Sequence, residues 1–320
     1  MIELEPDIDL YGTYARASAI ADYIELLALH GEQPSRATVA DYIDDASWGP
    51  RIHETFHTPE DAGAEEDDDG HGLGSTSEDA AKRVYSLLAA RHDYLGDDYP
   101  FRLDAGGVRT RSTDPEPSPY LALLAITVSH AFKVTSSPNP RDIFQDTVAQ
   151  ALSSAGHRSL NFSRFREGHG SFEEALTAAG SALTLKPAPS AASASAYAQD
   201  AGGDVIAQIS AGYLPSGGIG AWTLVGQVTC GKSDTWRKKL GEVEVPAWKA
   251  RLGTVVPPLA FLAVPHHAER DHLWDLVASN ERMVLDRLRL THMLDSVSAD
   301  EGAILQAVLD TPVASLVPGT

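Results

Sequence analysis

The sequence is organised around two stretches, QDAGGDVIA at residues 199–207 and GQVTCGKSDTWRKKL at residues 226–240. The first is an acidic turn with two glycines that leads into a β-branched run, a pattern typical of a turn followed by a strand. An apolar run at residues 222–225 enters the second stretch, and a helix-like pattern leaves it. We therefore expect two neighbouring strands that carry Asp204 and Gln227 at adjacent ends.

The second stretch has another interpretation, because residues 226–233 satisfy G-x-x-x-x-G-K-[ST], the phosphate-binding P-loop pattern. Three features disfavour it. The loop interior contains the β-branched residues Val228 and Thr229, which resist the positive φ angles of a phosphate cradle. The pattern comes late in the chain, and the next apolar run, at 259–264, ends in Pro265 and His266 rather than in a Mg²⁺-binding Asp. A P-loop nucleotide binder stands as an alternative.

Four segments occur in a recognisable order: the turn before Asp204, the GQxxxGK pattern at residues 226–232 with Trp236 after it, the run at 261–266 and LDRLRL at 285–290. This order resembles the PD-(D/E)XK nuclease superfamily, and within it bacterial restriction and phage-defence proteins. The resemblance runs from about residue 140 to the end. It implies an α/β fold in which a restriction-endonuclease-like mixed sheet, flanked by helices, occupies residues 136–320. Residues 1–135 are expected to form an all-helical N-terminal domain.

The resemblance also implies a metal-dependent DNA endonuclease that uses Mg²⁺ or Mn²⁺. Asp204 would be the main carboxylate ligand, with the amide oxygen of Gln227 and the backbone carbonyl of Val228 as further ligands. The superfamily pattern places a catalytic lysine two residues after the Gln, where this chain has Thr229. Lys232 is the substitute that we expect to act beside the scissile phosphate.

Many such nucleases add an acidic residue from the helix before the first core strand. The related proteins carry Phe-Glu where this chain has Phe144 and Gln145, so Asp146 is the candidate ligand from that helix. The substitutions at residues 145 and 229 open a second alternative, a catalytically degenerate nuclease fold that binds DNA or a partner subunit without cutting.

The formal charge of −20 opposes nucleic-acid binding, because phosphate contacts rely on Lys and Arg. The charge is uneven, however. Nine acidic residues and no Lys or Arg lie between residues 60 and 79, where we expect a disordered acidic loop. Arg237, Lys238 and Lys239 follow the proposed site and are the candidate nucleic-acid contacts, although a solvated helix face explains them equally well.

Composition sets the remaining expectations. The single cysteine, Cys230, excludes an internal disulfide framework and fits a reducing cytoplasm. The chain begins with an acidic segment and contains no apolar stretch of membrane-spanning length, so we expect no signal peptide and no membrane. The expected partners are DNA and a protein of the same defence operon, and the chain is a possible homo-oligomer.

Overall fold

The computed structural model describes residues 9–44, 76–113, 115–132, 134, 136–185, 202–209, 222–231 and 233–312. Ahead of the central sheet lie α1 (Asp9–Leu29), α2 (Arg36–Asp44), α3 (Ser77–Leu95), β1 (Phe101–Asp104), β2 (Gly107–Thr110), α4 (Pro119–Ala131) and α5 (Pro140–Ser154). The sheet contains β3 (Arg158–Asn161), β4 (Val205–Ile209), β5 (Trp222–Val228), β6 (Leu259–Ala263) and β7 (Met283–Leu285). The helices between and after these strands are α6 (Phe162–Glu167), α7 (Phe172–Ala182), α8 (Ser233–Glu242), α9 (Val245–Leu252), α10 (Arg270–Asn280), α11 (Arg287–Met293) and α12 (Ala299–Asp310).

In the described part of the chain the central sheet has the strand order β3-β4-β5-β6-β7. The first three strands pair antiparallel, and β6 and β7 each add in parallel. This mixed sheet with flanking helices confirms the predicted α/β class. The predicted neighbours also pair, because Val205 at the start of β4 faces Gly226 near the end of β5. The beginning of β4 and the ends of β5, β6 and β7 therefore lie along one edge of the sheet, hereafter the site edge.

Helix α5, which precedes the sheet, packs against β3, β4 and β5. Its N-cap is Asn139, whose side chain accepts a hydrogen bond from the backbone N–H of Arg141, and Pro140 occupies the first turn. Ile143, Phe144 and Val148 are buried beneath it. The helix is thus fixed against the face of the sheet that also carries Val205, Leu224 and Phe261.

The N-terminal segment is not all-helical as predicted, because β1 and β2 form an antiparallel hairpin. Gly107 adopts a φ of +129°, and a Cβ there would lie 2.5 Å from the carbonyl oxygen of Pro34. Glycine is therefore required for the hairpin to approach the chain before α2. The expected acidic loop at 60–79 falls largely within residues 45–75, outside the described residues. Its end is helical, since Thr76 caps α3 and Glu78 and Asp79 lie in the first turn.

The largest hydrophobic cluster includes residues from both predicted domains. Ile20 and Ile24 of α1 belong to the same cluster as Phe144 of α5 and Phe261 of β6. The core of residues 1–135 is thus continuous with that of residues 136–320. The boundary near residue 135, as a division between independently folding units, stays a prediction.

Four fully buried charged side chains join the N-terminal helices to the site edge. They form the buried charge cluster, which contains Asp22 and Glu25 of α1, Arg91 of α3 and Arg287 of α11. Arg287 contacts both carboxylate oxygens of Asp22 at 2.8 Å, and Arg91 contacts Asp22 and Glu25 at 2.8 Å. Burial alone would raise the pKa of Asp22, but the two arginines lower it well below its usual value.

Two tyrosine hydroxyls also donate hydrogen bonds to the carboxylate of Glu25. The hydroxyl of Tyr99 donates to Glu25 at 2.5 Å, and the hydroxyl of Tyr120 donates to it at 2.8 Å. Arg287 also donates from Nε to the carbonyl of Pro265 at 2.8 Å, directly after β6. The cluster therefore ties α1 and α3 to the turn that follows a strand of the site edge.

None of the helices in the described part of the chain combines the length and apolar character needed to cross a bilayer.

Candidate metal and nucleic-acid site

Asp204 lies immediately before β4, where the hydrogen-bond pattern between β4 and β5 is irregular. Val205 pairs with Gly226, and the N–H of Asp204 also donates to the carbonyl of Gly226 at 2.8 Å. Two consecutive residues thus face one partner, as in a β-bulge, a feature that redirects side chains at strand ends. The carboxylate Oδ2 of Asp204 reaches across the pair and accepts the N–H of Val228 at 2.7 Å.

The second oxygen of Asp204, Oδ1, accepts a hydrogen bond from the hydroxyl of Ser163 at 3.0 Å. Its direct partners are thus a backbone amide and a hydroxyl, both neutral. Burial raises the pKa of Asp204 above its usual value, while the hydrogen bonds from Val228 and Ser163 lower it. Each carboxylate oxygen keeps a further lone pair, so Asp204 is oriented by its neighbours and retains acceptor capacity for a ligand.

The packing around Asp204 explains the two glycines before it. A Cβ at Gly203 would lie 2.4 Å from the indole of Trp248, and a Cβ at Gly202 would lie 2.3 Å from the carbonyl oxygen of Glu242. Gly202 also has a φ of +70°. The acidic turn therefore fits against α8 and α9 because these two residues have no side chain.

Gln227 lies next to Asp204 across the pair, one residue beyond Gly226 on β5. Its side-chain oxygen Oε1 is buried and accepts no hydrogen bond from the described part of the chain. An acceptor left unsatisfied in a protein interior costs free energy of about 1–3 kcal/mol, so it requires an explanation. A bound cation would supply the missing partner.

Asp146, the candidate ligand from α5, lies beside the same region but is already engaged. It accepts a hydrogen bond from Nδ2 of Asn161 at 2.9 Å and forms an ion pair with Arg164. Ser163 and Arg164 are consecutive residues of α6, and each contacts one of the two predicted carboxylate ligands. The sequence reasoning missed both residues. Asn161, a residue type typical of an N-cap, was the available signal for a helix start here.

The segment after β5 is held by three hydrogen bonds. The N–H of Thr229 donates to Ala263 at 3.1 Å, the ring Nε2 of His266 donates to the carbonyl of Cys230 at 3.0 Å, and the indole N–H of Trp236 donates to Gly231 at 2.9 Å. Cys230 itself is buried, which raises the pKa of its thiol to about 12. Its side chain is therefore neutral at physiological pH and packs in the core.

Lys232, the predicted catalytic cation, lies outside the described residues. The predicted nucleic-acid contacts of α8 differ in their surroundings. Arg237 and Lys238 are exposed, whereas Lys239 forms an ion pair with Glu242 at 2.9 Å. Thr229 uses its hydroxyl oxygen to accept the N–H of Gly231 at 2.9 Å.

The P-loop interpretation needs residues 226–233 to form a loop around a phosphate. Residues 226–228 instead belong to β5, in register with both β4 and β6. A Cβ at Gly226 would lie 2.1 Å from the ring of Phe261, so this glycine accommodates an aromatic side chain of the next strand. The N–H of Val228 is bound by Asp204. These contacts disfavour a phosphate cradle.

Across the described ranges, no three His, Cys, Asp or Glu side chains are grouped so that they could hold a metal ion. The histidines near residue 270 illustrate this. His272 stacks on Trp236 with ring centroids 5.3 Å apart, and Nδ1 of His267 accepts a hydrogen bond from Arg91. The predicted set is of another kind, because it has only two acidic side chains, Asp204 and Asp146, and adds the amide oxygen of Gln227 and the backbone carbonyl of Val228.

Comparison with known proteins gave no relative. No protein-family model matches the chain, and neither a curated protein nor a solved structure does so.

Proposed function

We propose that this protein is a metal-dependent DNA endonuclease of a bacterial restriction or phage-defence system. The observation that carries the proposal is the hydrogen bond between Asp204 and the end of β5, where the adjacent Gln227 has a buried side-chain oxygen with no hydrogen-bond partner among the described residues. The order of elements supports it. Helix α5, the antiparallel strands β3 to β5, helix α8 and the parallel strand β6 follow one another as the resemblance to the PD-(D/E)XK superfamily implies.

The donor set fits a hard divalent cation. Mg²⁺ takes oxygen ligands, and it commonly uses one or two carboxylates together with water and substrate phosphate. Asp204, Gln227 and the carbonyl of Val228 would hold Mg²⁺ or Mn²⁺. When bound, such an ion polarises the phosphoryl oxygen and lowers the pKa of the attacking water.

The protein's own residues have separate tasks in this proposal. The hydroxyl of Ser163 and the N–H of Val228 fix the orientation of the Asp204 carboxylate. His266 and Trp236 hold the carbonyls of residues 230 and 231, which directly precede Lys232 in the sequence. The ammonium group of Lys232 would stabilise the charge that develops on the scissile phosphate. In this proposal the enzyme acts in the cytoplasm, alone or with a partner protein of its operon.

A plasmid-cleavage assay tests the proposal. Wild-type protein is incubated with supercoiled plasmid in Mg²⁺, in Mn²⁺ and in EDTA. We expect nicking or linearisation with either metal and none in EDTA. Asp204→Ala should abolish cleavage and keep the wild-type circular dichroism spectrum. Asp142→Ala removes an exposed carboxylate from α5 and should cleave like wild type. Equal cleavage by the Asp204 and Asp142 variants would reject the site.

A second candidate function is a degenerate nuclease fold that binds DNA or a partner protein. Specific observations favour it: the superfamily's lysine position holds Thr229, and the carboxylate of Asp146 is paired with Arg164. In this case wild-type protein would bind DNA or its partner and would cleave plasmid in neither metal. Cleavage that requires Asp204 would exclude this candidate.

A further inference from the structure

A small exposed patch lies on α10 and α11. Arg270, Leu273, Trp274 and Val277 follow the i, i+3, i+4, i+7 spacing and so lie along one face of α10. Together with Arg289 of α11 they line a shallow groove of about 440 Å³. We name this group the Trp274 patch. The indole of Trp274 is 74% exposed, although other residues of the same helix, such as Leu276, are buried.

The two arginines give the patch a cationic character. Arg270 is exposed and has no ion-pair partner among the residues described. Arg289 is 38% exposed, and its Nη1 is held at 2.8 Å by the fully buried carboxylate of Asp286. A guanidinium has five N–H donors, so this ion pair fixes Arg289 in place and leaves donors for an anion. The groove therefore combines an aromatic face with two positions suited to phosphate.

The topology places the patch on the site edge. Strands β5, β6 and β7 are parallel, so their C-terminal ends lie together. Arg270 begins the helix that follows β6, and Arg289 lies in the first turn of the helix that follows β7. Helix α10 also contacts α8, where His272 stacks on Trp236. Trp274 lies about 6 Å further along the axis of α10 than Arg270, given a rise of about 1.5 Å per residue.

From this placement we propose that the Trp274 patch binds an unpaired base of the nucleic acid at the site. The base stacks on the indole, and Arg270 and Arg289 contact the flanking phosphates. Stacking on an exposed aromatic ring is the general means by which proteins hold single-stranded nucleic acid, and it tolerates any base. The inference rests on the proposed function in one respect, since it names the substrate class as DNA with single-stranded or extruded nucleotides.

The charge and the small size of the Trp274 patch favour an unpaired base over a protein partner as its ligand. The patch offers three apolar side chains, which is less than a stable protein–protein interface buries. An aromatic ring beside two guanidinium groups instead matches the alternation of base and phosphate along a single strand. A base in a paired duplex is stacked between its neighbours and presents no free face to Trp274.

The test measures DNA binding by fluorescence anisotropy in EDTA, where the proposed metal-dependent cleavage is absent. The probes are labelled oligothymidylate and a labelled blunt duplex. We expect Trp274→Ala to weaken oligothymidylate binding roughly ten-fold and Trp274→Phe to retain most of the affinity, because a phenyl ring still stacks. Trp222→Ala is the matched control, since Trp222 is 56% exposed at the start of β5, the opposite edge of the sheet. Arg270→Ala should reduce the salt dependence of binding by about one phosphate contact.

Several results would overturn this assignment. They are no oligothymidylate binding by wild type, unchanged binding by Trp274→Ala, or an equal loss by that variant on the blunt duplex. The nuclease proposal fails separately, in the plasmid assay. DNA binding that depends on Trp274, without metal-dependent cleavage, would support the proposed role of the Trp274 patch and reject the nuclease proposal. Cleavage that depends on Asp204, with unchanged DNA binding by Trp274→Ala, would support the nuclease proposal and reject the role of the patch.

Discussion

Replacing Arg287 by Met should destabilise the protein strongly, because it unbalances the buried charge cluster. The substitution keeps an apolar stem of similar length but removes the guanidinium. Asp22 loses both of its 2.8 Å contacts to Arg287 and keeps the one to Arg91. Two carboxylates, on residues 1% and 0% exposed, then share a single arginine. The carbonyl of Pro265 also loses one of its two donors, since it keeps only the hydroxyl of Thr127 at 2.9 Å.

The expected cost follows from the geometry. Removing one partner of a buried ion pair destabilises a protein by about 3–5 kcal/mol, because a charge stays buried without compensation. This is a large part of a typical free energy of unfolding of about 5–15 kcal/mol. It corresponds to a fall in Tm of roughly 6–20 °C at about 2–4 °C per kcal/mol. Equilibrium unfolding in urea and thermal melting by circular dichroism measure both quantities.

Two further variants keep the prediction interpretable. Arg109→Met removes an exposed arginine that contacts Asp104 at 2.7 Å, and it should cost less than about 1 kcal/mol. The double variant Asp22→Asn, Arg287→Met removes opposite charges together and should be more stable than the sum of the single effects implies. A loss below about 1 kcal/mol for Arg287→Met, or additive effects in the double variant, would refute the reasoning.

Three other predictions address the turn, the histidines and the catalytic lysine. Gly203→Ala should lower the free energy of unfolding by about 1–3 kcal/mol, because the new Cβ would lie 2.4 Å from Trp248. Gly241→Ala has open space around the new Cβ and should be neutral or stabilising. Equal effects of the two substitutions in urea unfolding would contradict this prediction. Burial lowers the pKa of His130 and His272 to about 4 in the folded protein, so below about pH 6.5 the unfolded chain binds more protons than the folded one. The free energy of unfolding should therefore fall from pH 7.5 to pH 5. A urea midpoint that is the same at both pH values would contradict this prediction. Lys232→Ala should reduce the cleavage rate about 100-fold with little loss of DNA binding, while Lys238→Ala should reduce binding; the reverse pattern would assign the catalytic cation to α8.

The sequence was sufficient to predict the central pair of strands. The glycines and Asp204 before a β-branched run, and Gln227 at the end of an apolar run, are local signals that specify a turn and two strand ends. The predicted helix at α5 is local too, because its apolar spacing lies within a single element. The order of these segments predicted that the two strands are neighbours, and the structure adds the register, in which Val205 pairs with Gly226.

Long-range contacts were not predictable in the same way. Asp22 and Arg287 are 265 positions apart, and nothing in either local pattern indicates the other. The spacing of Ile20, Tyr23, Ile24 and Leu27 predicts a helix with one buried face, but α1 is buried on nearly all sides between positions 17 and 28. Charged residues on such a helix need partners from elsewhere in the fold. For the same reason, the local pattern could not indicate the contacts that Ser163 and Arg164 make with Asp204 and Asp146.

The most direct test of the central claim is a Mn²⁺ titration followed by electron paramagnetic resonance in the presence of duplex DNA. The account predicts one bound Mn²⁺ for wild-type protein and for Asp142→Ala. It predicts loss of that binding in Asp204→Ala, and binding weakened at least about ten-fold in Gln227→Leu, which removes the unsatisfied amide oxygen. Wild-type affinity in both site variants, with their fold intact, would contradict the claim that Asp204 and Gln227 hold the metal.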